Sequence, residues 1–217
     1  GHNRLLVTSL NGDVKEIIGQ GGPGLVDGDY RTTQFFNPQG LVLDSETLYV
    51  ADKDNHAIRQ VDLVNKRVET IAGTGNVAMT RSEQTDARAT SLRSPWDLEV
   101  VDGVLFIAMA GMNQLWSFDL HSTLLSPYAG NGRESLSNGL LMQSELAQPS
   151  GLVSNGEGTL FFVDSETSSI RSASTDPAGN VETLVGSGLF DFGDRDGVAL
   201  CHIVRHYIPA SLLYTSD

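Results

Sequence analysis

Apolar and polar residues along this chain fall into short runs, grouped four at a time, and the group recurs. In one copy, Gly40-Leu41-Val42-Leu43-Asp44 is a short run behind Pro38. Thr47-Leu48-Tyr49-Val50-Ala51 is apolar almost throughout, as expected of a strand covered on both faces. Ala57-Ile58-Arg59-Gln60-Val61-Asp62-Leu63 places apolar residues at Ile58, Val61 and Leu63, which predicts a strand with a bulge or turn between Ile58 and Val61. Arg67-Val68-Glu69-Thr70-Ile71 alternates and stops at Ala72-Gly73. The same order runs from Ser94-Pro95-Trp96 through Leu105-Phe106-Ile107-Ala108 and Gln114-Leu115-Trp116 to Ala129-Gly130. It returns from Gln148-Pro149-Ser150 through Leu160-Phe161-Phe162-Val163 and Ser169-Ile170-Arg171 to Val185-Gly186. Pro38, Pro95 and Pro149 are 57 and 54 residues apart, and four strand-like runs at such a period predict β-propeller blades.

The segment before the first copy reads as half a blade. Leu5-Leu6-Val7 matches the third run and Val14 to Ile18 the fourth, with the hairpin signal Asn11-Gly12 between them. The expected fold is all-β: a partial propeller of about 3.5 four-stranded antiparallel blades. The half blade covers 1–20, and the full blades cover 36–76, 93–132 and 147–188. Long polar loops at 20–34, 74–90, 131–145 and 187–197 are expected to be binding or docking surface. An incomplete ring has open blade edges, which predicts self-association.

Charge narrows the partners. The 217 residues carry a net charge of −13, which opposes nucleic-acid binding through a basic face and attraction to anionic membranes. Gly is raised at 23 residues, in keeping with many tight turns. Cys201 is the single cysteine, so no internal disulfide forms. No apolar run approaches the ~20 residues that span a bilayer.

The pattern Pro-x-Gly-Leu, Leu-Tyr-Val-x-Asp, Asn-His-x-Ile-Arg and Ala-Gly-x-Gly resembles the NHL repeat. Ser94-Pro95-Trp96-Asp97, Ala108-Met109-Ala110-Gly111, Asp164-Ser165-Glu166 and Phe192-Gly193-Asp194 follow in an order similar to one branch of NHL proteins. That branch joins a six-bladed propeller to a thioredoxin-like domain and includes the plastid suppressor-of-quenching proteins. The resemblance implies a non-catalytic interaction or scaffold module within a longer redox protein, binding protein partners on its propeller faces, in the cytosol or a plastid. No cofactor is implied. The start at Gly1-His2-Asn3 in mid-motif predicts a piece of a longer chain, and residues 200–217 depart from the repeat as an aberrant tail would.

Candidate chemistry centres on the turn after each second run. Asp52, Asn55 and His56 in the first copy and Asp164 and Glu166 in the last would cluster at one end of a propeller channel. Convergent oxygen ligands there suit a hard cation such as Ca²⁺, as in propeller lactonases and lyases, which is the alternative reading. The competing reading has these side chains bonding nearby backbone amides. Met109-Ala110-Gly111-Met112 in the second copy is a poor ring member, so no metal site is assigned. His2, His56, His121, His202 and His206 lack convergent zinc spacing. Ser150 is a repeat position, and Cys201 lies in the tail. Gly73-Thr74-Gly75 and Gly130-Asn131-Gly132 follow strands without leading into helices, so they are not phosphate loops. Trp96, directly after Pro95, is the candidate exposed recognition residue, against packing between blades.

Overall fold

A computed structural model describes residues 2–79, 85–186, 188 and 189. Among them, regular structure consists of strands and single turns of 3₁₀ helix. A two-stranded ribbon, β1 (Leu5–Thr8) and β2 (Val14–Ile18), comes first. The first blade holds β3 (Gly28–Asp29), β4 (Pro38–Asp44), β5 (Thr47–Asp52), β6 (Ala57–Asp62) and β7 (Arg67–Ala72). The second holds β8 (Thr85–Asp86), β9 (Pro95–Val101), β10 (Val104–Met109), β11 (Gln114–Asp119) and β12 (Leu124–Ala129). The third holds β13 (Gly139–Leu140), β14 (Pro149–Ser154), β15 (Thr159–Asp164), β16 (Ser169–Ser174) and β17 (Asn180–Val185). Every pairing is antiparallel, and the order from the outside inward is β3-β7-β6-β5-β4, repeated in each blade. This is the four-run meander expected of a partial propeller.

The fifth strand is new. Each interblade loop expected as binding or docking surface pairs two of its residues with the outermost strand, as in Gly28 with Val68, Thr85 with Leu125, and Gly139 with Val181. Two residues carry no readable period, so sequence pattern could not show them. The loop at 187–197 and the tail with Cys201, His202 and His206 lie outside the described residues, apart from 188 and 189.

Alternation in the second strand explains its apolar run. Leu105, Ile107 and Met109 of β10 join Ile58, Ile71 and Trp116 in a core between the first two blades. Phe106 and Ala108 turn the other way, joining Leu160, Phe162 and Leu115 between the second and third. Both faces of a middle blade are thus interior. A third core unites the ribbon's Ile18 with Phe35, Val50 and Val61 of the first blade. The ribbon's other face leaves Leu6, Val14 and Ile17 exposed.

The predicted bulge sits on the neighbouring strand. Ile58 pairs with Ala72 and Arg59 with Thr70, so Ile71 is the extra residue. Tyr128 and Leu184 are skipped in the same way in the other blades. β6 itself pairs with β5 without a shift, so Ile58 and Arg59 point to opposite faces. Ile58 joins the core between the first two blades and Val61 the core with the ribbon, and with both faces interior the strand shows no period-two pattern.

Candidate functional site

Register places the candidate residues together at one end of the sheets. Pro38 pairs with Asp52, Pro95 with Met109 and Pro149 with Asp164. The starts of the innermost strands therefore lie beside the 3₁₀ turns Lys53–Asn55, Ala110–Met112 and Ser165–Thr167.

Asp52 is fully buried and does not face a channel. Its Oδ2 accepts from Arg59 Nη1 at 2.8 Å and from Asn55 Nδ2 at 2.8 Å, while Oδ1 accepts from the Phe36 amide at 2.7 Å. Arg59, equally buried, reaches on to the carbonyls of Gln34 and Val26 at 2.8 and 2.9 Å and to Asp27 Oδ1 at 3.0 Å. Asn55 also donates to the Gly24 carbonyl at 2.7 Å. The cluster fastens the interblade loop to its blade. Burial pushes the Asp52 carboxyl up, against the pull of Asn55, the Phe36 amide and Arg59.

Asp164 repeats this arrangement. Arg171 Nη1 donates to its Oδ2 at 2.8 Å and to the Glu145 carbonyl at 2.7 Å, Nη2 donates to the Ser137 carbonyl at 2.8 Å, and the Ala147 amide donates to Asp164 Oδ1 at 2.7 Å. Each guanidinium also lies by a ring, Arg59 4.9 Å from Phe35 and Arg171 5.8 Å from Phe162. Sequence reasoning did not single out the arginines. A signal was present: Asp and Arg are seven residues apart in both blades, and in the second both change together, to Met109 and Trp116.

The remaining candidates lie nearer the surface. Glu166 accepts from Gln148 Nε2 at 3.0 Å. His56 is half-buried, and its Nδ1 accepts from the Ser94 amide at 3.0 Å. Burial pulls its pKa down; Asp54 works against this, and Lys53 and Arg93 reinforce it. Trp96 occupies a bulge, because β9 skips it between Pro95 and Asp97 when pairing with β10. It remains 37% exposed, with Lys53 Nζ of the preceding blade 5.1 Å from its ring centroid. Trp96 is thus both exposed and packed across the blade junction.

One pair of acids escaped sequence reasoning. Asp97 and Glu99 lie on β9, the innermost strand, which packs against both β4 and β14. Asp97 accepts from the Leu152 and Leu98 amides at 2.9 Å each, and Glu99 from the Ser154 amide at 3.1 Å. They cover the inner-edge donors of β14. Burial pushes the Asp97 carboxyl up to about 6 and raises Glu99 as well. Opposite Asp97, Gly40 has no room for a Cβ. Among the described residues, no three His, Cys, Asp or Glu side chains form a group able to hold a metal ion.

Comparison with known proteins agrees with this geometry. The chain is 35% identical to NHL repeat-containing protein 2 of Homo sapiens, across 100% of its own length and 34% of the relative's. It is 37% identical to the chloroplastic protein SUPPRESSOR OF QUENCHING 1 of Arabidopsis thaliana, over 94% of this chain and 20% of that one. It is an NHL-repeat β-propeller module. The NHL chain spans about a third or less of the length of these curated relatives. No family model matches it. Among solved structures it is similar to a streptogramin B lyase (TM-score 0.55, 13% identity, 85% of this chain and 48% of that one). A chain of a nidogen/laminin complex is also similar (TM-score 0.54, 16% identity, 85% and 59%). At these identities the likeness is one of fold.

Proposed function

We propose that this NHL module is a non-catalytic scaffold that binds a protein partner at the end carrying the 3₁₀ turns, with Trp96 as its anchor. The observation that carries the reading is Trp96 itself. A large aromatic ring stands open at a blade junction, held from behind by Lys53. Aromatic anchors on a rigid frame dominate protein interfaces because they bury much area at little entropic cost. His56 and Glu166 border the same surface through their hydrogen bonds to Ser94 and Gln148. Asp52, Asn55 and Asp164 support it from beneath by holding the interblade loops. A propeller in the nidogen/laminin complex offers a fold-level precedent for protein binding.

The test is quantitative capture of partners by wild type, by Trp96→Ala, and by Glu46→Arg in the turn at the opposite end of the first blade. Loss of about 2 kcal/mol or more, some thirtyfold in affinity, for Trp96→Ala alone supports the reading. Equal capture by wild type and Trp96→Ala overturns it.

A second reading, a metal-dependent lactonase- or lyase-type propeller, draws on Asp97 and Glu99, two raised carboxyls on the innermost strand. Thermal unfolding with Ca²⁺ and then with EDTA separates the two. A saturable Ca²⁺-dependent rise in Tm, lost in Asp97→Asn, favours the enzyme; superimposable curves favour the scaffold.

A further inference from the structure

Three successive blade junctions are closed by one device. Asn3, His56 and Asn113 hold equivalent places before the third strand, each with left-handed backbone (φ 44°, 50° and 53°). Each side chain accepts the backbone N–H of the residue before the next blade's proline. Asn37 donates to Asn3 Oδ1 at 2.8 Å, Ser94 to His56 Nδ1 at 3.0 Å, and Gln148 to Asn113 Oδ1 at 3.0 Å. The three donors are left-handed too (φ 52°, 51° and 59°). So the geometry is a property of the repeat and not an accident of one loop.

Two junctions use an amide oxygen, which carries no charge at any ordinary pH. The junction between the first and second blades uses an imidazole nitrogen. A ring nitrogen that accepts is unprotonated, so this bond requires neutral His56 with its proton on Nε2. Ser94 lies two residues before Trp96, with the fixed backbone of Pro95 between them. Lys53, stacked over Trp96, belongs to the same turn that His56 ends. The seam and the exposed tryptophan are therefore one mechanical unit.

We propose that His56 is a proton-gated positioning residue for this face. Neutral, it holds Ser94, and through Pro95 it keeps Trp96 in register against Lys53. Protonated, it presents an N–H to an N–H, and the junction loosens. The charged groups facing it are Asp54 and Lys53 from its own turn and Arg93 from the second blade. The described part of the loop after β7, residues 73–79, brings no charged side chain. One acid against two cations and partial burial favour the neutral ring, so the seam is closed near neutral pH and opens on acidification. The consequence for partner binding rests on the function proposed above; the seam itself does not.

The test reads the seam without any partner. In ¹⁵N-labelled protein, the His56 nitrogens should show the Nε2–H tautomer at pH 8. Protection of the Ser94 amide, corrected for intrinsic exchange, should fall by roughly tenfold as pH drops below the ordinary histidine value of about 6.5, the weight of one hydrogen bond. His56→Asn, which copies the two neighbouring junctions, should keep that protection at every pH, whereas His56→Ala should lack it throughout. An Nδ1–H tautomer at pH 8, pH-independent Ser94 protection in wild type, or loss of protection in His56→Asn overturns the proposal. Failure of Trp96→Ala to affect capture, with the Ser94 titration intact, would instead remove only the binding role.

Discussion

The first and third blades hold a buried ion pair where the second holds methionine and tryptophan. Asp52 with Arg59, and Asp164 with Arg171, occupy the places of Met109 with Trp116, and all six side chains are fully buried. The second blade satisfies the one polar atom of its pair by a local route. Trp116 Nε1 donates to Gln114 Oε1 at 3.1 Å, and Gln114 Nε2 donates to the Gly130 carbonyl at 2.7 Å. A propeller core therefore accepts either solution at one position. The difference lies in what each reaches. Each arginine extends to two loop carbonyls, which an apolar pair cannot do. The ion pair fastens the preceding loop to its blade, and in gross stability it is exchangeable for well-packed apolar side chains.

The largest expected effect comes from breaking one such pair. Asp164→Met alone leaves Arg171 buried without a counter-charge and should cost about 3–5 kcal/mol in urea unfolding. Adding Arg171→Trp, which copies the second blade, should recover most of that loss and give a strong favourable coupling in the double-mutant cycle. A double variant as unstable as the sum of its parts would show that the apolar solution depends on Gln114 and not on the pair alone.

A smaller effect belongs to Asp97, an acid on the inner strand at the position where the first and third blades carry Gly40 and Gly151. Its folded pKa of about 6 lies above the unfolded value of about 3.9, so the folded state holds the proton more tightly. Its contribution to stability is fully present below the unfolded value and is lost as pH rises through about 6. In a His56→Asn background, Tm should rise on going from pH 7 to pH 5, and Asp97→Asn should flatten that slope. The His56→Asn background is needed because a histidine whose folded pKa is lowered acts in the opposite sense, favouring the folded state above its unfolded value. An unchanged slope in Asp97→Asn would assign the titration to another acid.

Trp96→Ala should have the smallest effect on folding, within about 1 kcal/mol, because the ring stays 37% exposed in a bulge and belongs to none of the three buried cores. A loss of several kcal/mol would make Trp96 a core residue and shift the comparison between blades from their interiors to their junctions.

Much of this was legible in the order of residues. The four runs per copy, the prolines that open each inner strand and the Asn11-Gly12 turn map directly onto β1 to β17 without the short outer strands. The apolar second run of each copy also held its meaning, since Leu105, Phe106, Ile107 and Ala108 divide between two cores. The candidate site was legible as a set of positions and not as a set of roles. Asp52 and Asp164 read equally well as ligands for a cation or as turn residues, because a carboxylate's partner is chosen by what folds against it. Asp97 and Glu99 gave no signal at all, since the β14 amides they cover lie 55 residues away in the next blade.

By itself the sequence determined the repeat, the strands and which residues are equivalent, because period and turn chemistry act over a few neighbouring residues. Only the tertiary structure decided that the acids of the turns face inward onto arginines, that the loops add a fifth strand, and that His56 holds Ser94. Each of those contacts joins residues from different strands, loops or blades. Hydrogen bonds and ion pairs at 3 Å depend on distances that only the packing of strands, loops and blades on one another can set.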